Sequence, residues 1–432
     1  MQKIAAPRGT ADVYPPESGR WLALEMRIHA LARRFGYGEI RTPAFEATEL
    51  FVRGVGETTD IVGKEMYTFL DKGGRSMTLR PEWTAPVVRA VLEHNLLATG
   101  PQRLYYVGSF FRYEKPQKGR LRQAHQFGVE CLGFAGAEAD AEVIQLAYEL
   151  LRSFGIADVT LKINSIGDAS DRPAYLEALR AHFTPLRNEL SEDSQRRLER
   201  NPLRILDSKA REDQAAIAAA PTLAAHLSPE NRAHFERLCA LLDAIGISYR
   251  IEPRLVRGFD YYTRTVFEFS AASLGAQDAV CGGGRYDELV HALGGPATPA
   301  VGFGLGLERF LIALEAAGLA PDAGAGGLAL IALGDAARER GFPLVAALRR
   351  AGLAVFADYR DARIGVQFTR AERAGARAAV ILGDDEIAAG TVVVRDLHSR
   401  KQVTLGPFDA PEAAVDAIAA WYASPAGDAS AA

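Results

Sequence analysis

Near residue 320 the chain changes rhythm, and that change limits the folds open to it more than any other feature. Leu319-Ala-Pro-Asp-Ala-Gly-Ala-Gly-Gly327 has the composition of a flexible linker. Beyond it, strand-like and helix-like stretches alternate: Leu328 to Leu333, Ala336 to Arg350, Leu353 to Ala357, Arg363 to Ala374, Ala378 to Leu382. Such alternation predicts a mostly parallel set of strands covered by helices, in an α/β domain with a mixed sheet. Before the linker no regular βαβ rhythm exists. A helix is expected from about Ser18 to Phe35, with Trp21, Leu24, Ile28 and Leu31 at helical spacing. Short apolar runs at Leu104 to Phe111, Gln126 to Phe134, Val159 to Ile163 and Val266 to Phe269 read as strands of a largely antiparallel sheet.

The expected fold is therefore an α+β domain, an antiparallel sheet flanked by helices, over residues 1–325. Within it, alanine, arginine, glutamate and leucine dominate from Asp168 to Tyr249, and strand-like sequence resumes after Pro253. That texture predicts an inserted helical module over 168–252. The α/β domain covers 326–423, and residues 424–432, from Ser424, read as a disordered tail.

Composition excludes several classes. With 48% hydrophobic and 24% charged residues over 432 positions, the chain is ordinary globular material. No stretch approaches the roughly 18 apolar residues of a membrane helix, and Met1-Gln2-Lys3-Ile4 opens no secretory signal. Cys131, Cys239 and Cys281 are isolated, so neither a disulfide framework nor a zinc site is expected, and a cytoplasmic location follows. Net charge is −4, so any nucleic-acid partner must be held by local basic patches. Lys115-Pro-Gln-Lys118-Gly-Arg120-Leu-Arg122 is one candidate. Arg338 to Arg377 is the other, with nine arginines against four acids. Either run is equally compatible with a solvated face.

The chemistry concentrates in five segments. The strand Phe110-Phe111-Arg112-Tyr113-Glu114 places Arg112 and Glu114 on one face. On the return strand, His125 to Cys131, one face holds Gln126, Gly128 and Glu130, the other Phe127, Val129 and Cys131. A charged sheet face with a glycine at its centre suits a pocket floor, although a surface hairpin with cross-strand ion pairs has the same pattern. The remaining segments are Leu79-Arg80-Pro81-Glu82-Trp83-Thr84, Leu255 to Glu268, Cys281-Gly-Gly-Gly284-Arg285-Tyr286-Asp287, and Ala300 to Phe310. Gly302, Gly304 and Gly306 do not match the dinucleotide fingerprint and mark close approach of a ligand or of backbone.

Together these segments resemble the signature motifs of class II aminoacyl-tRNA synthetases. Arg41-Thr-Pro43 is similar to the first motif, which lies at the dimer interface in that class. Phe-Arg112-Tyr-Glu114 with its basic loop is similar to the second, and Gly306-Leu-Glu308-Arg309 to the third. Arg257-Gly-Phe-Asp-Tyr-Tyr262 and Cys281 to Tyr286 resemble the two motifs peculiar to histidyl-tRNA synthetases. Arg8-Gly-Thr10-Ala-Asp12 and Leu79-Arg-Pro-Glu82 fit as well, and Gly375 to Gly383 resembles that family's anticodon-binding domain. Trp83 departs from the pattern, where small residues or methionine are commoner, and would narrow the pocket mouth.

The resemblance implies an enzyme that activates L-histidine with ATP and transfers it to tRNA(His). Arg112, Arg257 and Arg309 would be the catalytic cations. Arg112, Glu114, Arg120, Arg257, Gly304 and Arg309 would bind ATP. Mg²⁺ would sit on the β- and γ-phosphates, without a dedicated set of protein ligands. Glu82 and Thr84, assisted by Gln126, would take the ammonium of histidine. Glu130 and Tyr262 would pair with the imidazole, in a pocket also lined by Trp83, Arg112, Arg257, Tyr261 and Tyr286. Lys115, Gln117, Lys118 and Arg122 would meet the tRNA acceptor end. The resemblance also implies a homodimer; neither DNA nor a membrane is an expected partner. One alternative is an inactive synthetase-like regulatory subunit of histidine biosynthesis, a kind of protein that typically lacks the C-terminal domain and several motif arginines. Another is a synthetase for threonine, proline or glycine.

Overall fold

The computed structural model describes residues 4–56, 59, 61–156, 158–206, 208–272, 279–321 and 326–424. The chain forms two compact units. One comprises Met1–Pro15 and Leu24–Pro321, the other Pro16–Ala23 and Asp322–Ala432. In the first, the strands are β1 (Gly38–Glu39), β2 (Phe45–Ala47), β3 (Tyr67–Leu70), β4 (Ser76–Leu79), β5 (Gln102–Phe111), β6 (Gln123–Leu132), β7 (Val159–Ser165), β8 (Tyr249–Ile251), β9 (Thr263–Ala271), β10 (Ala279–Arg285) and β11 (Ala300–Gly306). Eight of them build one sheet in the order β1-β5-β6-β11-β10-β9-β7-β8, and β2-β4-β3 form a small second sheet. The large sheet is antiparallel through its centre and parallel only at its outermost pairs, β1 with β5 and β7 with β8.

One face of this sheet is apolar for a simple reason. Phe127, Val129, Cys131, Phe267, Phe269, Cys281, Phe303 and Leu305 alternate with the polar and glycine positions of β6, β9, β10 and β11, and all are buried. Helices Ala137–Ser153 and Leu307–Ala316 bring buried apolar residues of their own. The helix Glu17–Arg34 forms at the expected place, with Leu24, Ile28 and Leu31 buried.

Between β7 and β8 lie helices Arg172–Phe183, Glu192–Arg200, Gln214–Ala219 and Pro229–Ala244. Two begin at serine caps: Ser191 accepts from Ser194 N at 3.2 Å, and Ser228 from Asn231 N at 3.3 Å. Strand structure returns at Tyr249, earlier than Pro253 suggests, because Tyr249-Arg-Ile251 finds a parallel partner in Leu161 to Ile163 that its own pattern does not announce.

In the second unit, β12 (Gly327–Ala332), β13 (Val355–Ala357), β14 (Ala376–Leu382), β15 (Val392–Asp396) and β16 (Gln402–Leu405) pair in the order β13-β12-β14-β15-β16. β12 to β14 are parallel; β15 and β16 add an antiparallel hairpin, so the sheet is mixed. Helices Asp335–Arg350 and Ile364–Arg373 supply the crossovers. Ser424, read as the start of a disordered tail, has its carbonyl held by Arg377 Nη2 at 3.0 Å and its hydroxyl bonded to Trp421 O. Residues 425–432 lie outside the described residues.

Candidate active site

Across the centre of the large sheet, register places Glu130 beside Gly302, Gly302 beside Gly284, Gly128 beside Gly304, and Gly304 beside Gly282, which pairs with Glu268. The glycines leave gaps in this face, and neighbouring side chains fold over them. A Cβ on Gly302 would collide with Glu130 Oε2, on Gly304 with the Gln126 amide, on Gly282 with the Arg257 guanidinium, and on Gly128 with the Tyr106 hydroxyl. The glycine spacing that sequence left ambiguous therefore makes room for a layer of charged and aromatic groups.

Those groups line one cleft of about 730 Å³. Glu82, Trp83, Thr84, Arg112, Glu114, Arg120, Gln126, Glu130, Arg257, Tyr261, Tyr262, Tyr286, Gly304 and Arg309 all meet there. Lys115, Gln117, Lys118 and Arg122 do not line it. The cleft walls also include Tyr106 and Lys162, which the sequence alone does not single out, and Glu268, the end of a segment named above without a role of its own. The signal for Tyr106 was its position directly opposite Gly128 on the β5–β6 ladder.

At one end sits a buried acidic slot. Glu130, 1% exposed, accepts from Thr84 Oγ1 at 2.8 Å and from the Tyr286 hydroxyl. Burial raises its pKa to about 8, against the hydrogen bonds from Tyr286 and Thr84 that favour the ionised form. Glu82 is buried too. Its two oxygens accept from Thr84 N at 2.7 Å and Ala85 N at 2.9 Å, at the start of the helix Thr84–Glu93. Burial raises the Glu82 pKa, opposed by these bonds and by the charge of Arg112. Tyr261 stacks on Phe259 and meets Tyr286 edge to face.

Trp83 is not at the mouth. It is 3% exposed, lies parallel to Tyr106 with centroids 4.6 Å apart, and carries Arg80 over its other surface at 3.4 Å. The room for so large a ring comes from Gly108, where a Cβ would fall 2.6 Å from Trp83 Cζ2. Arg80 in turn donates to Ser109 O, Thr42 O and Pro43 O, tying the Arg41-Thr-Pro43 segment to β5.

The other end is cationic. β5 stops at Phe111, so Arg112 and Glu114 lie beyond the strand, where the chain turns: Arg112 N bonds Arg122 O and Tyr113 N bonds Glu65 O. The two side chains still face each other, with Arg112 Nη1 3.9 Å from Glu114 Oε1. Arg112 Nε donates to Pro81 O at 2.8 Å. Arg120 stands 3.5 Å from Glu114, and Arg257 pairs with Glu268 at 2.9 Å. Burial lowers the pKa of Arg309, and the charge of Arg120 lowers it further, partly offset by Glu114 and Glu268. Arginines crowded in this way are the preorganised counterpart of a polyanion.

Two further arginines of these segments hold backbone in place. Arg285 is fully buried and bonds Asp140, Asp287, Phe134 O and Gly136 O, locking β10 to the helix Ala137–Ser153 directly before Tyr286. Arg122 lies 3.9 Å from the Tyr113 ring centroid, and its Nε donates to Glu114 O at 3.3 Å while its backbone N–H bonds Gly9 O. It fastens the Arg8-Gly-Thr10 segment to the basic loop. Lys115, Gln117, Lys118 and Arg120 are exposed on that loop. Among the described residues, no group of three or more His, Cys, Asp or Glu side chains could hold a metal ion, and no helix is long and apolar enough to cross a membrane.

The family model for histidyl-tRNA synthetase matches residues 9–310, and that for an anticodon-binding domain matches 328–416. The histidine–tRNA ligase of Synechocystis sp. is 51% identical over 406 residues, covering 94% of this chain and 91% of its own. The one from Streptococcus pyogenes serotype M3 is 47% identical over 405 residues, with 93% and 95% covered. The apo histidyl-tRNA synthetase of S. aureus superposes with a TM-score of 0.79 at 37% identity, covering 97% of this chain and all of the other. The chain belongs to the histidyl-tRNA synthetase family.

Proposed function

We propose that the chain is a histidine–tRNA ligase. The carboxylate of L-histidine attacks the α-phosphorus of ATP; the bond to the β-phosphate breaks and pyrophosphate leaves, giving histidyl-adenylate. A hydroxyl of the 3′-terminal adenosine of tRNA(His) then attacks the activated carbonyl and AMP leaves. The observation that carries this reading is the pairing, within one cleft, of a buried acidic slot with a crowd of arginines. The first fits a small cation-bearing substrate, the second a triphosphate. Retention of Arg112, Arg257 and Arg309, together with the C-terminal unit, sets aside the regulatory-subunit alternative.

Arg112 holds the α-phosphate and the carboxylate in line. Arg257 stands at the α-phosphate, and Arg309 packs on adenine and reaches the γ-phosphate, with Glu114, Arg120 and Gly304 completing the nucleotide site. Glu114 and Glu268 both stand against arginines, so no dedicated set of protein ligands is proposed for Mg²⁺; the ion would come with the triphosphate and would offset its negative charge. Glu82, Thr84 and Gln126 take the ammonium. Glu130 accepts from the imidazole N–H while Tyr262 donates to the other nitrogen, and Trp83, Tyr261 and Tyr286 shape the slot. Such a slot rejects apolar amino acids, which would leave its buried groups unpaired.

Lys115, Gln117 and Lys118 on the exposed loop meet the acceptor end, and Arg122 sets the loop's position. The C-terminal unit takes the anticodon. There Arg340, Arg350, Arg363 and Arg373 are exposed, and Phe342 and Tyr359, 60% and 53% exposed, stand 6.0 Å apart as a surface for unstacked bases. We place the domain boundaries near 325 and 424, the enzyme in the cytoplasm, and two copies in a homodimer. The arginine roles are tested by Arg257→Gln and Arg309→Gln. Each is expected to lower ATP–pyrophosphate exchange by about 100-fold or more while histidine binding, measured by calorimetry, persists. Unchanged exchange would make both arginines structural.

A further inference from the structure

Arg257, Tyr261 and Tyr262 reach the cleft from a stretch with no regular structure, between the end of β8 and the start of β9. Irregular backbone holds a side chain in place only if its own polar groups are fixed. Here the fixing comes from the helical module. Arg172, the first residue of the helix Arg172–Phe183, donates from Nη2 to the Tyr262 carbonyl. Burial lowers the pKa of this guanidinium, and the charges of Asp260, Asp168 and Glu288 face it. Asn201, at the end of the helix Glu192–Arg200, donates from Nδ2 to Asp260 Oδ1 at 3.3 Å. From the opposite side Gly56 closes on Asp260: a Cβ there would lie 2.7 Å from Oδ2, and its φ of +101° favours glycine. The apolar residues of the module do not form a separate core. Leu179, Phe183 and Leu198 belong to the same buried cluster as Tyr106, Tyr261 and Tyr262.

We propose that the helical module between β7 and β8 is a bracket for residues 260–262 of this stretch, with Arg172 and Asn201 as positioning residues that aim Tyr262 into the cleft. This rests on the reading that Tyr262 meets the imidazole. The module then contributes to amino-acid selection through the backbone it holds.

The test is histidine-dependent ATP–pyrophosphate exchange by the full chain carrying Arg172→Ala, Arg172→Lys, Asn201→Ala or Tyr262→Phe, and the double variant Arg172→Ala/Tyr262→Phe. Losing a charged donor to a buried carbonyl should raise KM for histidine roughly tenfold in Arg172→Ala, with KM for ATP unchanged. Arg172→Lys should recover part of the loss. Asn201→Ala should act in the same direction and more weakly, and it decides the question if Arg172→Ala does not fold. The double variant should show less than the sum of its parts, because both changes spend the same interaction. If Tyr262→Phe raises KM for histidine while Arg172→Ala and Asn201→Ala leave it alone, or raise both KM values equally, the bracket is wrong and the reading of Tyr262 stands. If Tyr262→Phe itself changes nothing, that reading falls and the bracket falls with it.

Discussion

At the scale of single residues, the site is built as much from missing side chains as from present ones. Gly128, Gly282, Gly302 and Gly304 open the sheet face onto which Tyr106, Arg257, Glu130 and Gln126 fold. Glu130 shows what that enclosure does to chemistry. Desolvation raises its pKa to about 8, so near neutral pH burial in the slot favours the protonated carboxyl. An ionised carboxylate is the better acceptor for an imidazole N–H. Raising the pH through 8 releases the Glu130 proton, and KM for histidine should fall over that interval. Glu130→Gln, which has no proton to lose, should give a flat profile and a KM about 10- to 100-fold higher, read from exchange rates between about pH 6.5 and 8.5.

At the scale of elements, the β5–β6 hairpin was legible in its alternation: Phe127, Val129 and Cys131 are buried on one face, and Gln126 and Glu130 line the cleft on the other. The end of β5 was not. Phe-Arg112-Tyr-Glu114 continues the strand pattern, yet β5 ends at Phe111: Arg112 N still bonds Arg122 O across the hairpin, but Tyr113 N goes to Glu65 O, a carbonyl that no local pattern announces. The depth of Trp83 was hidden for a similar reason: Gly108, Tyr106 and Arg80 that enclose it lie elsewhere in the sequence. Arg285 is the sharpest case. Nothing in its local sequence says that burial commits its guanidinium to Asp140, 145 positions away. Removing one partner strands a buried charge, so Asp140→Ala should destabilise the first unit by about 3–5 kcal/mol in denaturant unfolding. Burial acts to raise the Asp140 pKa, but Arg285 and His234 outweigh it and hold it at about 2. Its contribution to stability is then complete above the unfolded value near 4 and lost as pH falls toward 2.

At the scale of the whole molecule, net charge is −4, and the tRNA must find local positive charge: the exposed Lys115 and Lys118 of the basic loop in one unit and the exposed arginines of Arg338 to Arg377 in the other. Histidine activation uses neither surface. Raising salt from about 50 to about 200 mM should therefore raise KM for tRNA in the aminoacylation assay by tenfold or more, while histidine-dependent exchange without tRNA changes little. Both units were visible in the sequence as a change of rhythm, because a parallel α/β pattern repeats where an antiparallel one does not. The β15–β16 hairpin was missed, since Val392 to Leu405 carries no crossover helix to mark it.

The acidic slot and the arginine cluster, in one cleft, are built to activate one amino acid together. Amino-acid-dependent ATP–pyrophosphate exchange by the purified chain, run with each of the twenty amino acids and no tRNA, tests this most directly. Exchange with histidine alone is the predicted result. Exchange with another amino acid, or with none from a folded protein, would contradict it.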